Sequence, residues 1–154
     1  MNINKFTRKS IEAMEDCQKL VYKYGNQEIE QEHLLMALIS QEDGLIIKLI
    51  EKMDINREDF SNRAEEYLNK RVKVSGGEIR IGRGLNKVFV TAEDEAERMG
   101  DEYVSVEHLF ITLIKHPNAG IKALFKEYGI TYDRFLKVLM EVRGNQNVTS
   151  DNPE

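Results

Sequence analysis

Shifted against itself by 75 positions, the chain aligns with its own second half: residues 6–65 fall on 81–140 without a gap. Gly25 meets Gly100, and Glu32-His33-Leu34 meets Glu107-His108-Leu109. Leu38-Ile39 falls on Leu113-Ile114, Ile46 on Ile121, Leu49 on Leu124, Ile55 on Ile130 and Phe60 on Phe135. Columns that differ still pair apolar with apolar, such as Met14 with Phe89 and Ile50 with Phe125. A tandem duplication with copies of about 60 residues constrains the fold strongly, because whatever one copy forms the other forms again.

Each copy reads as four helices. Met14, Cys17, Leu20, Val21 and Tyr24 follow i, i+3, i+4 spacing, as do Leu85, Val88, Phe89, Ala92, Ala96 and Met99. Gly25 and Gly100 follow these stripes, where a left-handed cap ends a helix. The next pair, 31–40 and 105–115, is apolar on most faces and must be central; Ser105 is a fair N-cap, and Glu107 suits the first turn. A third pair carries Leu45, Ile46, Leu49, Ile50 and Met53, matched by Ile121, Leu124, Phe125 and Tyr128. The fourth carries Phe60, Ala64 and Tyr67, matched by Phe135, Val138, Leu139 and Val142. The expected fold is all-α, a pseudo-twofold bundle of eight helices. Repeat one covers about 5–70, a linker 71–81, and repeat two about 82–143. The linker region, KRVKVSGGEIRIGRG, reads as a flexible link or a short hairpin. Residues 144–154 read as a flexible connector whose one large apolar residue, Val148, stays outside the core.

Composition narrows the function classes. Among 154 residues, 22 are basic and 27 acidic, a net charge of −5, which argues against nucleic acid as the main partner. The longest apolar run, Leu34 to Ile39, is six residues, far short of the roughly 20 that a membrane span needs. The opening MNINKFTRKS has no apolar core for a secretory leader. The single cysteine, Cys17, suits a reducing, cytoplasmic setting.

Catalytic chemistry finds little support. GGEIRIGRG at 76–84 is glycine-rich and basic, but no Gly-Lys-Ser/Thr follows it. Glu30 and His33 form a Glu-x-x-His pair of the kind that di-iron bundles use, yet Ser105 replaces the glutamate in the second copy. His33 and His108 therefore read as packed imidazoles near helix starts. Cys17 lies on an apolar stripe, and no serine stands in a nucleophile motif. No cofactor and no metal is expected in this chain. What remains is binding at the seam between the copies, with Val90 and Tyr103 as candidates to face it.

The stretches NINKFT, YGNQEIEQEHLLMALISQEDG, RMGDEYVSVEHLF and EVRGNQNVTSDNPE carry a family likeness. The chain resembles the tandem Clp N-terminal repeat at the front of AAA+ chaperones, and most of all that of the ClpB-type disaggregases. The resemblance implies a non-catalytic domain, monomeric in isolation. It would be tied to a homohexameric ring whose absent ATPase modules bind ATP and magnesium. It implies capture of unfolded or aggregated polypeptide in partnership with the DnaK system. The alternative is an adaptor-docking domain of a protease-linked Clp ATPase. Residues tied to substrate handling in the family match Thr7, Asp101 and Glu107. Read from the residues alone, these three are a helix N-cap, a turn residue and a first-turn acid. Where some members carry apolar groove residues this chain has Glu95 and His108, so those two are not carried over.

Overall fold

The computed structural model describes residues 2–144 and 146–153. After a 3-10 turn at Ile3–Lys5 come α1 (Arg8–Tyr24), the short strand β1 (Glu28–Ile29), α2 (Gln31–Ile39), α3 (Leu45–Lys52) and α4 (Arg57–Asn69). A linker then leads into β2 (Arg80–Ile81), α5 (Arg83–Arg98), α6 (Val106–Lys115), α7 (Ala119–Tyr128) and α8 (Tyr132–Arg143). The 75-residue shift carries each helix of the first four onto one of the second four to within a residue or two at each end. The expected eight-helix architecture is the observed one.

Local chemistry sets the helix ends. Thr7 caps α1 by accepting from Ser10 N–H, and Gly25 closes the helix at φ 70°, a conformation that costs glycine nothing. Asn56, Asn118 and Thr131 cap α4, α7 and α8 through their side chains. Helices α2 and α6 are buried almost all round and form the centre. Leu34, Leu38, Leu109 and Leu113 lose all contact with water, each contributing ~1.5–3 kcal/mol. Buried polar residues on α2 stitch the copies together. Gln31 Nε2 donates to the carbonyls of Gly84 and His116, and its Oε1 accepts from Asn118 N–H at 2.8 Å.

The copies also exchange backbone. β1 of the first copy pairs in parallel with β2, which leads into the second: Glu28 lies opposite Arg80 and Ile29 opposite Ile81. The mate of this pairing is the parallel bridge between Phe6 and Val104. Gly82 N–H donates to Ile29 C=O at 2.8 Å, and its counterpart Thr7 N–H donates to Val104 C=O at 2.9 Å. Each copy thus borrows the entry strand of the other. This corrects the hairpin reading of the linker, whose strand pairs with a remote partner.

Val148 is a partial correction: it is 5% exposed, although it stands apart from the main hydrophobic cluster. Its C=O accepts from Glu102 and Tyr103 N–H, and Asp151 C=O accepts from Arg8 N–H at 2.7 Å. One apolar residue with satisfied backbone neighbours is enough to seat the segment.

Candidate binding surfaces and the polar knots behind them

The turn after α1 and the start of α2 form a polar knot. Glu30 N–H donates to His33 Nδ1 at 2.9 Å, so the ring proton sits on Nε2, which faces Asn26 Oδ1 at 2.9 Å. Burial, aided by the nearby Arg71 guanidinium, pushes the His33 pKa down from 6.5 to about 4. Arg71 reaches back from the end of α4 to Glu30 at 2.8 Å and Glu32 at 3.4 Å. Burial raises the Glu30 pKa despite that cation, and its Oε1 has no hydrogen-bond partner.

The second copy repeats the knot with charges. Ser105 N–H donates to His108 Nδ1 at 2.9 Å, and His108 Nε2 meets Asp101 Oδ2 at 2.6 Å. Asp101 Oδ1 accepts from Arg143 and from Val148 N–H. Burial alone would raise the Asp101 pKa, but hydrogen bonds from His108, Arg143 and Val148 hold it below the ordinary value. Glu107 accepts from Ser105 Oγ and lies 3.9 Å from Arg143.

Three of the sequence-predicted residues therefore sit in or beside one buried network. Thr7 is fully buried as the α1 cap, its hydroxyl donating to Ser10 Oγ at 3.0 Å. Asp101 and Glu107 are buried as well. Val90 is 49% exposed. It lines a groove of about 470 Å³ with Ala96, Val104 and the sequence-predicted Asp101, rimmed by Glu93, Asp94, Glu97 and Glu102 and by Lys5. Tyr103 is half-buried, with its N–H on Val148 C=O, and does not line this groove. Glu95 is buried between Lys115 and Arg98, and His108 is fully buried, so neither lines the groove.

The pseudo-twofold mate of this groove was missed from sequence. About 450 Å³ in volume, it is lined by Gln18, Tyr22, Ile29, Ile79, Arg80 and Ile81 among others. The shift carries Gln18 to Glu93, Tyr22 to Glu97, Ile29 to Val104 and Arg80 to Lys5. Tyr22 is 75% exposed and Ile81 46%. The available signal was Tyr22, an aromatic residue off the apolar stripe of α1.

Nothing catalytic is assembled among the described residues. Among the described residues, no group of three or more His, Cys, Asp or Glu side chains is placed to hold a metal ion. Cys17 is buried, its pKa pushed up to about 12 by desolvation and by Asp16. Among the described residues, no helix is long and apolar enough to cross a membrane.

Residues 5–151 match the family described as the Clp repeat (R) N-terminal domain. The chain is similar to the chaperone protein ClpB of Nitratidesulfovibrio vulgaris, 42% identical over all of this chain and 18% of the relative. It thus spans about a fifth of the length of the curated relatives it matches. In fold it is similar to the Hsp104 N-terminal domain of Candida albicans, with a TM-score of 0.83 at 24% identity over 96% of this chain and 97% of that one. It is also similar to a ClpV N-domain solved in complex with a VipB peptide, with a TM-score of 0.74 at 16% identity over 96% and 92% of the two chains.

Proposed function

We propose, from the premise that this chain belongs to the Clp repeat (R) N-terminal domain family, that it is the non-catalytic substrate-recognition domain of a ClpB-type chaperone. It binds unfolded or aggregated polypeptide and helps deliver it to a hexameric ATPase ring in the cytoplasm, working with the DnaK system. The observation that carries this reading is the pair of grooves related by the internal twofold, each with exposed apolar side chains at its mouth. Exposed Tyr22 and Val90 fit weak, sequence-tolerant contacts, and the acidic rim around Val90 keeps that groove soluble when empty. In this reading Thr7, Asp101 and Glu107 are positioning residues. They hold the Val104 strand and the α5–α6 turn that wall the Val90 groove; Thr7 and Glu107 stand behind it, while Asp101 is also part of its lining.

Titration of the 15N-labelled chain with unfolded casein tests the proposal. The expected result is fast-exchange shift changes at Val90, Tyr22 and their neighbours, weakened by Val90→Ser. An unchanged spectrum at millimolar protein overturns it.

The VipB peptide held by the ClpV relative favours a second reading, docking of one defined adaptor peptide. Tight, saturable binding of a single partner sequence, with no response to casein, selects that reading.

A further inference from the structure

We propose that the outer edge of β2, residues 79–81, docks an extended apolar stretch of unfolded polypeptide as a third strand beside β1 and β2. The inference rests on the capture reading above and names the conformation of the guest.

The register leaves this edge open. Arg80 N–H and Gly82 N–H point to β1, donating to Gln27 C=O at 3.1 Å and Ile29 C=O at 2.8 Å. In a parallel pair the alternate residues face away, so Ile79 and Ile81 turn their N–H groups outward. Neither finds an acceptor among the described residues. The adjoining groove carries Tyr22, Ile79 and Ile81 among the polar side chains of Gln18, Glu78 and Arg80.

The mate of this edge is closed. At the Phe6–Val104 bridge the N-terminal 3-10 turn folds back on itself: Phe6 N–H donates to Ile3 C=O at 3.1 Å and Lys5 N–H to Asn2 C=O at 3.0 Å. Phe6 is 1% exposed, whereas Ile81 at the equivalent position is 46% exposed. One fold thus contains the same strand pair twice, once sealed by a turn and once unsealed.

The chemistry of the edge selects its occupant. Outward N–H and C=O groups spaced along a strand pair only with another extended backbone. Main-chain bonds tolerate almost any sequence, and Tyr22, Ile79 and Ile81 favour Val, Ile, Leu or aromatic side chains at alternate positions. An unfolded polypeptide offers that combination; a folded surface does not.

The test uses a soluble probe peptide of alternating Val and Thr with Lys at both ends. Added to the 15N-labelled chain, it is expected to slow amide exchange at Ile79 and Ile81 and to shift Tyr22. A version N-methylated at its four central amides is expected to bind at least about tenfold more weakly. Ile81→Pro deletes an outward donor while leaving Arg80 and Gly82 bonded to β1, and is expected to weaken the probe to a similar degree. Equal affinity of the methylated and plain probes overturns the edge, as does probe protection confined to the Val90 groove. Casein separates the two ideas. Casein binding untouched by Ile81→Pro sinks the edge and leaves capture standing. An absent casein response sinks capture, while the probe still decides the edge.

Discussion

The two copies hold their central histidines with the same geometry, but the residue each ring faces bonds the following segment in opposite directions. In the first, His33 faces the neutral Asn26, whose Nδ2 then donates to Val72 C=O at 2.8 Å. In the second, His108 faces Asp101, which accepts from Val148 N–H at 2.9 Å. Both knots pin the segment that follows the fourth helix of their copy. An amide can give a hydrogen bond to that segment, and a carboxylate can only take one. The carboxylate also needs Arg143 to offset its burial, and Arg71 plays the matching part for Glu30 and Glu32. Duplication preserved the scaffold of bonds while the charge state of each knot went its own way.

The sharpest way to break this comparison is Asp101→Ala. It leaves buried Arg143 and His108 Nε2 without their acceptor, and the expected loss is ~3–5 kcal/mol by urea unfolding at pH 7. Asp101→Asn, which copies the first knot, is expected to cost less. A loss below ~1 kcal/mol for the alanine variant would show that the charged knot does not hold this half.

Next comes acid. A histidine depressed from 6.5 to about 4 is neutral in the folded chain while its unfolded form is charged. The unfolded state then binds more protons, so His33 stabilisation is complete above pH 6.5 and is lost as pH falls toward 4. The full window is worth ~3 kcal/mol. Glu30, raised by burial, works with the opposite sign and softens the slope. His33→Gln keeps an acceptor for Glu30 N–H and is expected to flatten stability between pH 6.5 and 4.5. An identical slope in the variant refutes the assignment. Asp101, held low, keeps its contribution above about pH 3.8 and loses it only as pH falls through its depressed value.

The smallest effect concerns how Glu30 and Gly82 fit together. A Cβ on Gly82 would lie 1.6 Å from Glu30 Oε1. At the mate positions stand Ser105 and Thr7, so the larger side chain has changed sides. Gly82→Ala is expected to cost ~1–3 kcal/mol. Adding Glu30→Ser, which copies the second half, is expected to recover most of it in a double-mutant cycle. Additive losses would mean that the two sites do not share that space.

Much of the fold was legible because helices announce themselves locally. Apolar spacing placed all eight, and Gly25, Ser105 and Thr7 marked ends that the structure confirms. The knots were half legible. His33 and His108 read as packed imidazoles, but their partners Asn26 and Asp101 lie seven residues away across a turn, and no periodicity joins them. The burial of Val148 is not legible because a single apolar residue in a polar tail carries no periodic signal. The groove beside Tyr22 is not legible in the sequence because Ile79 and Ile81 lie in a segment that reads as linker.

The sequence by itself determined the duplication, the helices and the absence of a long apolar span, since these depend on spacing along the chain. Only the tertiary structure decided which half is sealed and which is open. That difference arises where segments far apart in sequence meet, β1 with β2 and Asp101 with Val148. The energy of such meetings depends on burial and on which donor finds which acceptor, and neither is written in local pattern.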